Sequence, residues 1–364
     1  MSVAVSITAD GSMRLAWQDG VTRDIDPRWL FDHADGACNP VSGQRSQGAL
    51  ELTDVRLRDA RIDGDRIQFR FEPSGLHGSI GLARLRRAAA GATPRFWPTP
   101  DPVERAEPVP FNAYLEDDAG LRKALARVAR FGLVLLDGAG TEPGTVERAV
   151  ERFGFVRETN YGRLFDVRIE PSPTNLAFSG RGLELHTDNP YRDPTPTLQL
   201  LHTLVADPHG GETLFVDGFA QADRLRQEAP GDFEALSRTP VGFRYADPSG
   251  ACWTAEAPII ELDASGAVRA IRLNHRALDL SPDIGGRWYD AYLAFHRQAH
   301  EPGAAFERAL RPGEMVIFDN RRILHGRRGL VGGSPRWLQG CYADRDGLWA
   351  TLARLEASNP GPTR

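Results

Sequence analysis

Cysteine is scarce in this sequence. The 364 residues include three cysteines, and Cys38, Cys252 and Cys341 lie far apart without any paired spacing. Secreted domains that depend on disulfides usually carry an even number of cysteines. An odd count without an export signal therefore argues against a disulfide framework and predicts reduced thiols.

Long apolar runs and an excess of one charge are also missing. No stretch approaches the ~18 apolar residues of a membrane-spanning helix, and residues 1–5 lack the basic segment of a signal peptide. The formal net charge is −5, so no basic field favours nucleic acid or an anionic membrane as a partner. We therefore expect a soluble, cytoplasmic protein that binds neither.

The chain is predicted to contain two domains joined by a linker. Residues 1–87 alternate short apolar stretches with Asp-Gly turns, a pattern typical of a small β domain. Residues 112–364 combine buried-strand runs with helical periodicity, which predicts a mainly β fold with flanking helices around a β-sandwich or jelly-roll core. Residues 88–111 favour an extended linker because they are rich in proline.

Apolar periodicity also predicts individual elements of the second domain. Helices are expected over residues 121–131, 146–153, 219–228, 286–300 and 347–357. Strands are expected over 133–136, 197–202 and 315–318, and a hairpin should pair 259–262 with 270–273 around a glycine turn.

Four residues carry the strongest chemical signal: His186, Asp188, His325 and Arg336. Two imidazoles and one carboxylate form the facial triad that holds Fe(II) in non-haem oxygenases and leaves positions open for co-substrates. An arginine on a later strand can hold a dicarboxylate co-substrate through a bidentate fork. Both histidines are predicted to lie at strand ends, where a barrel site requires them.

His-x-Asp by itself is a weak motif, and this chain contains a second copy of it. His33-Ala34-Asp35 also fits the pattern, but no distant histidine and arginine in the same segment complete a site. We therefore interpret His33 as an ordinary hydrogen-bonded histidine and place the metal at His186.

Longer motifs around these residues resemble a known family. In order along the chain they are NLAF at 175–178, LHTD at 185–188, QLLH at 199–202, GGETLFVDGF at 210–219, FDNRRILHGRR at 318–328 and GCYAD at 340–344. They resemble the γ-butyrobetaine and trimethyllysine hydroxylases, within the taurine-dioxygenase-like group of Fe(II)/2-oxoglutarate oxygenases. The matches cover most of residues 150–350.

The resemblance implies a double-stranded β-helix, or jelly-roll, catalytic core and a homodimer. It also implies that His186, Asp188 and His325 hold Fe(II), and that Arg336 and Thr213 hold 2-oxoglutarate. The co-substrates 2-oxoglutarate and O2 would then yield succinate, CO2 and a hydroxylated product.

The resemblance further implies the two ends of a substrate site. Tyr161, Phe165, Phe178 and Tyr342 match an aromatic cage for a trimethylammonium group, which has no N–H to donate and is best bound by ring faces. Relatives place tryptophan or tyrosine where this chain has Phe165 and Phe178. The residues matched to the anionic end of the substrate are Asn175, Asn274 and Arg276.

The expected reaction is conversion of γ-butyrobetaine to L-carnitine. Because the anionic end fits a carboxylate or a phosphonate, 2-trimethylaminoethylphosphonate is an alternative substrate. Trimethyllysine, the substrate of the other hydroxylases in the group, is a further alternative. Two other classes of protein stay open. A zinc hydrolase also uses two histidines and a carboxylate, but would leave Arg336 and Thr213 without a role, and a non-catalytic ligand-binding protein would form no succinate.

The leading domain also looks like the family's, with one chemical departure. Relatives hold a structural zinc there through three cysteines and a histidine, a set typical of closed tetrahedral sites. Ala34 and Gly36 stand where two of the cysteines would be, leaving Cys38 and His77. We therefore expect no structural zinc.

Overall fold

The computed structural model describes residues 3–39, 44–46, 48–86, 96–97, 103, 107–169, 180–247, 249–330 and 334–358. The chain divides into two compact units, Met1–Gly91 and Ala92–Arg364. The division into residues 1–87, 88–111 and 112–364 stays a prediction, because most of the expected linker lies outside the described residues. Trp97, from this segment, is buried and donates its indole N–H to the Phe131 carbonyl (2.8 Å).

The first unit contains two antiparallel three-stranded sheets, in which strands adjacent in sequence are paired. The first sheet comprises β1 (Val3–Ile7), β2 (Met13–Trp17) and β3 (Thr22–Ile25), and the second β4 (Arg56–Asp63), β5 (Arg66–Glu72) and β6 (His77–Gly81). The helices are α1 (Pro27–His33) and α2 (Leu82–Arg86). At the predicted Asp-Gly turns, Gly11, Gly20 and Gly64 have positive φ, which glycine adopts without steric cost.

Alternation along β5 builds the core of this unit. Ile67, Phe69 and Phe71 are buried, while residues between them face outward. The period of two is therefore the one expected from the sequence for a half-buried strand.

Ion pairs occupy the segment in which the resemblance places zinc ligands. Arg45 contacts Asp32 (Nε to Oδ2, 2.6 Å) and the His33 ring (Nη2 to Nε2, 3.1 Å). Asp35 pairs with Arg66 and accepts a hydrogen bond from Ser79 (2.9 Å). The absence of a structural zinc stays a prediction.

The second unit is built on two β-sheets. The large sheet comprises β7 (Val109–Pro110), β8 (Leu133–Asp137), β9 (Val156–Arg157), β10 (Phe165–Arg168), β12 (Leu198–Val205), β20 (Met315–Asp319) and β22 (Trp337–Ala343). The small sheet comprises β11 (Leu183–His186), β13 (Thr213–Asp217), β19 (Phe306–Arg308) and β21 (Ile323–Arg327). The large sheet has the order β10-β22-β12-β20-β8-β7, with β9 beside β22, and the small sheet has the order β11-β21-β13-β19.

The inner faces of the two sheets pack against each other. Phe215 of β13 meets Phe318 of β20 with ring centroids 5.6 Å apart, and Leu201 and Leu338 lie in the same buried cluster. The two sheets enclose one apolar layer, as in other sandwiches. The predicted fold class, a mainly β jelly-roll core with a small leading β domain, is confirmed.

Helices cover the outer face of the large sheet and one side of the small one. The helices of the second unit are α3 (Phe111–Glu116), α4 (Asp118–Phe131), α5 (Thr145–Glu151), α6 (Gly218–Glu228), α7 (Pro230–Arg238), α8 (Gly286–Ala299) and α9 (Arg345–Ser358). The remaining strands are β14 (Val241–Ala246), β15 (Cys252–Ala257), β16 (Ile260–Leu262), β17 (Val268–Ile271) and β18 (Leu278–Asp279). None of the helices within the described ranges is long and apolar enough to cross a membrane.

Most of the predicted elements are confirmed to within a few residues. The predicted hairpin is β16–β17, with Gly266 at positive φ between the strands. Helices α3 and α7 were not predicted, because each is short and carries few apolar residues in helical spacing. The placement of His325 at a strand end was wrong: it lies inside β21, because the chain crosses after Asp319 from β20 in the large sheet to β21 in the small one.

Candidate active site

The two histidines of the predicted triad face each other across paired strands. His186 ends β11, His325 lies on β21, and the antiparallel register places them directly opposite. Their ring centroids are 4.3 Å apart, and Asp188 follows two residues after His186. One ligand atom from each residue lies within 4.8 Å of the others. The structure thus brings together all three residues predicted to bind the metal.

The orientation of the two rings suits a metal ligand. His186 donates its Nδ1–H to the Glu184 carbonyl (2.8 Å), so the lone pair on Nε2 faces Asp188, with 3.3 Å from Nε2 to Oδ1. His325 directs its own Nε2 to Oδ2 of Asp188, at 3.9 Å.

Electrostatics favours a neutral imidazole at His325 and an ionised carboxylate at Asp188. Burial, followed by the effect of His186, lowers the pKa of His325 to about 3. Burial opposes ionisation of Asp188, but its contacts with His186, His325 and the Tyr342 hydroxyl together hold the pKa of its carboxyl well below the usual range. Two imidazole nitrogens and one carboxylate are a donor set that fits Fe(II).

Tyr342, predicted as part of the aromatic cage, also contacts the triad. Its hydroxyl donates to Oδ2 of Asp188 at 2.8 Å. Burial and the neighbouring Asp188 carboxylate raise the pKa of Tyr342 well above its ordinary value, so this hydroxyl keeps its proton. A single side chain therefore supports a candidate metal ligand and offers a ring face to the cavity.

A cavity of about 330 Å³ opens beside the triad and has an aromatic wall. Phe165 lies between Tyr161 and Tyr342, with ring centroids 6.5 Å and 5.0 Å away. Tyr191 and Tyr245 extend this wall and stack on each other at 5.0 Å. Three of the four predicted cage residues come together, whereas Phe178 lies outside the described residues.

Gly340 makes room for the Phe165 ring. A Cβ at this position would lie 2.5 Å from Cζ of Phe165 and 2.9 Å from the Leu200 carbonyl oxygen. Real side chains do not approach so closely, so the ring holds its place in the wall because residue 340 has no side chain.

The two residues predicted to bind the co-substrate also lie close together. Arg336 donates to the Thr213 hydroxyl at 3.4 Å, and both side chains are buried and line the cavity. Burial, followed by the nearby charge of Arg327, lowers the pKa of Arg336 to about 10, so it is still a cation at neutral pH. A buried guanidinium beside a hydroxyl is a suitable receptor for a carboxylate.

Two of the residues predicted for the anionic end of the substrate line the cavity. Arg276 is exposed at its surface, and Asn274 is buried. The Asn274 amide donates to the Thr187 carbonyl at 3.1 Å, while its Oδ1 has no hydrogen-bond partner among the described residues. Asn175, the third residue of this group, falls outside the described part of the chain.

The cavity residues that sequence reasoning missed include Asn189, Tyr191, Tyr245 and Arg327. Asn189 and Tyr191 directly follow the triad motif, and the Tyr191 hydroxyl donates to Oδ1 of Asn189 at 2.7 Å. Arg327 lies two residues after His325 on the same strand and opposite Thr213, so strand alternation was a usable signal. Tyr245 had none, because nothing local relates β14 to the site.

A profile of the taurine catabolism dioxygenase TauD, TfdA family matches residues 98–342. The chain belongs to this family. The match contains the triad, the Arg336–Thr213 pair and the three aromatic residues of the cavity wall. This chain is therefore a dioxygenase. Neither a zinc hydrolase nor a non-catalytic ligand-binding protein is supported.

Individual relatives are similar over almost the whole chain. A γ-butyrobetaine dioxygenase from Pseudomonas sp. (strain AK-1) is 43% identical over 358 residues, which are 97% of this chain and 81% of that protein. The mitochondrial trimethyllysine dioxygenase of Bos taurus is 32% identical over 96% of this chain and 89% of its own length. The family resemblance predicted from the motifs is confirmed.

Solved structures support the fold. An asparagine oxygenase in complex with Fe(II), 2S,3S-3-hydroxyasparagine and succinate aligns with a TM-score of 0.50 at 23% identity, covering 64% of this chain and 81% of that one. AAD-2 in complex with Mn(II) and N-oxalylglycine aligns with a TM-score of 0.51 at 16% identity, covering 62% and 89%. At such identities the likeness concerns the fold alone.

Proposed function

We propose that this dioxygenase uses Fe(II), 2-oxoglutarate and O2 to hydroxylate an unactivated C–H bond of a small acid bearing a trimethylammonium group. The leading substrate is γ-butyrobetaine, with L-carnitine as the product. One observation carries the proposal: a single cavity joins the His186–Asp188–His325 triad to an aromatic wall and to the buried Arg336–Thr213 pair.

His186, Asp188 and His325 would hold the iron. When bound, Fe(II) supplies the redox chemistry that couples decarboxylation of 2-oxoglutarate, giving succinate and CO2, to insertion of one oxygen atom into the substrate C–H bond. The protein supplies two imidazole nitrogens, the Asp188 carboxylate and the Tyr342 hydroxyl that orients this carboxylate. A protein ligand set limited to three residues leaves positions for co-substrates.

Arg336 and Thr213 would bind the distal carboxylate of 2-oxoglutarate. The guanidinium is desolvated before the ligand arrives, so it gains more from a carboxylate than an exposed arginine would. Thr213 fixes one edge of the guanidinium and can donate its own hydroxyl hydrogen to the same carboxylate.

Tyr161, Phe165 and Tyr342 would bind the trimethylammonium group. Ring faces attract a cation without requiring an N–H donor from it, and the attraction is strongest where water is excluded. A primary ammonium would lose its hydration here and find few acceptors on the aromatic side. The wall therefore favours a quaternary ammonium over an ordinary amine.

Arg276 and Asn274 would face the anionic end of the substrate. Arg276 brings a cation to the exposed side of the cavity, and the Asn274 amide has a second N–H beyond the one used by Thr187. With the cation held by the rings and the anion held here, the carbon chain between them is fixed relative to the triad.

The test is succinate and product formation by the Fe(II)-loaded enzyme across a panel of trimethylammonium acids. We expect γ-butyrobetaine to give succinate and hydroxylated product in a ratio near one, well above the succinate formed without substrate. Asp188→Ala should abolish both, whereas Asp263→Ala, in an exposed turn, serves as the matched control with normal turnover. Succinate that does not rise with any trimethylammonium acid would disprove the proposed substrate class.

A second candidate substrate is trimethyllysine. Oδ1 of Asn274 is a buried acceptor without a partner among the described residues, and the α-ammonium group of trimethyllysine is a donor that γ-butyrobetaine lacks. Relative kcat/KM for the two compounds decides between them. We expect γ-butyrobetaine to be preferred, and Asn274→Ala should weaken trimethyllysine more strongly if Oδ1 accepts from its ammonium.

Two broader predictions accompany this function. A homodimer is implied by the family resemblance, and light scattering of the purified protein tests it. A cytoplasmic location, with no nucleic-acid or membrane partner, also stays a prediction, and fractionation of cells expressing the protein tests it.

A further inference from the structure

Asn320 is a buried polar residue whose side chain binds the backbone of Asp188. It follows β20 directly and lies five residues before His325, and its side chain is 1% exposed. It does not line the cavity, so any effect on the reaction must pass through other residues.

The Asn320 amide makes three backbone hydrogen bonds, two with Asp188 and one with Pro196. Its Oδ1 accepts from the Asp188 N–H at 2.8 Å. Its Nδ2 donates to the Asp188 carbonyl and to the Pro196 carbonyl, each at 3.0 Å. Both backbone groups of one candidate metal ligand are therefore held by a single side chain.

These contacts close the loop that follows the carboxylate ligand. Residues 187–197 form no strand or helix, and Asn189 has φ 52°, so the chain turns sharply directly after Asp188. Asn320 holds the start of this loop at Asp188 and its end at Pro196, and its backbone N–H donates to the Thr197 carbonyl at 3.0 Å. The loop thus has a fixed span between the two sheets.

A loop ligand needs such support more than a strand ligand does. His325 lies within β21 and is paired on both sides, to β11 and β13. Asp188 has no strand ladder to set the direction of its side chain. Mutation of the groups that support a metal ligand typically weakens metal binding about 10–100-fold.

We propose that Asn320 is a positioning residue that holds the backbone of Asp188 in register with His325, so that the carboxylate points into the metal site. The inference rests on the proposed function only in assigning a divalent metal to the triad. An amide is required, because the position must accept from one N–H and donate to two carbonyls, and aspartate can do only the first.

The test compares two amide-to-carboxylate changes. Asn320→Asp keeps size and one acceptor but turns the donating nitrogen into an oxygen facing two carbonyls. Gln298→Glu is the matched control: Gln298 is also buried, and its Nε2 donates to two oxygens of Gln221 at 2.8 Å each, away from the cavity. Both variants lose two donated bonds, but only the first loses one of them at Asp188 and the other at the end of its loop, at Pro196.

The first readout is binding of Mn(II) to the metal-free protein by calorimetry. We expect Asn320→Asp to raise the Mn(II) Kd at least about tenfold, whereas Gln298→Glu stays within about twofold of the wild type. The second readout is the ratio of succinate to hydroxylated product, which should rise in Asn320→Asp because a displaced carboxylate misaligns the metal and the substrate. Gln298→Glu should leave this ratio unchanged.

Asn320→Ser provides a milder change if Asn320→Asp does not fold. Its hydroxyl can replace only one of the three bonds, so the Mn(II) Kd should still rise measurably. An unchanged Kd and ratio in every folded Asn320 variant would overturn the inference and leave Asn320 a purely structural residue. If the Asn320 variants lose Mn(II) affinity but the wild-type enzyme forms no succinate with any tested substrate, the inference is supported and the proposed function is contradicted.

Discussion

Tyr342 has two separable roles, and two substitutions distinguish them. Its hydroxyl donates to Asp188, and its ring lines the cavity beside Phe165. Tyr342→Phe removes the hydroxyl and keeps the ring face, whereas Tyr342→Leu removes both and keeps an apolar wall. The comparison therefore isolates the attraction between the ring and a trimethylammonium group.

The size of each effect follows from the burial of this side chain. Tyr342 is 3% exposed, so the ring acts at the desolvated end of the cation–π range, about 2 kcal/mol or some thirtyfold in affinity. The hydroxyl bond to a charged carboxylate contributes about 1.5–3 kcal/mol. Tyr342→Phe should therefore weaken metal binding while leaving the preference for a charged ligand intact.

The assay measures the affinity of two ligands of equal shape. The first is γ-butyrobetaine, and the second carries a neutral tert-butyl group in place of trimethylammonium. Calorimetry without O2, with saturating Mn(II) and 2-oxoglutarate, gives the ratio of their Kd values. We expect the charged ligand to be strongly preferred by the wild type and by Tyr342→Phe, and the preference to fall by up to about thirtyfold in Tyr342→Leu.

Two results would refute this reasoning. If all three proteins prefer the charged ligand equally, the Tyr342 ring does not contact the cation. If Tyr342→Phe and Tyr342→Leu both lose the preference, the hydroxyl and not the ring face is responsible.

Four further predictions follow from other parts of the chain. Arg336→Met should raise the KM for 2-oxoglutarate about ten- to hundredfold, with an unchanged Kd for Mn(II), because a charge-assisted contact is lost but no metal ligand is. Gly340→Ala should displace the Phe165 ring and raise the substrate Kd about tenfold by calorimetry; an unchanged Kd would show that the ring does not touch the substrate. Burial, followed by the charge of His300, lowers the pKa of His296 to about 4. As the pH falls, this histidine takes up its proton in the unfolded chain before it does so in the folded protein. The free energy of unfolding should therefore fall by at most about 3 kcal/mol from pH 6.5 to 4. His296→Gln should flatten this dependence in urea unfolding, unlike the exposed control His209→Gln. Elemental analysis of protein loaded with iron should find no tightly held zinc, and about one zinc per chain would contradict the interpretation of Ala34 and Gly36.

The chemistry of the metal site was predictable from the sequence because few residue types can perform it. Fe(II) chemistry needs histidine and carboxylate ligands, and a dicarboxylate co-substrate needs a guanidinium. The chain has two copies of His-x-Asp, and the one at His186 lies in the same domain as the later His325 and Arg336. Strands and helices were predictable for a related reason, since apolar periods of 2.0 and 3.6 are local properties of the chain.

The tertiary structure alone decided which side chains surround these residues. The Tyr342 hydroxyl reaches Asp188 because β22 pairs with β12, an antiparallel pairing between segments more than a hundred residues apart. Tyr245 joins the cavity from β14, and Asn320 reaches Asp188 from the end of β20. Such contacts depend on long-range strand order and register, where a shift of one residue turns every side chain to the opposite face. Local sequence carries the identity of each ligand, but the pairing of distant strands sets its partners and its direction.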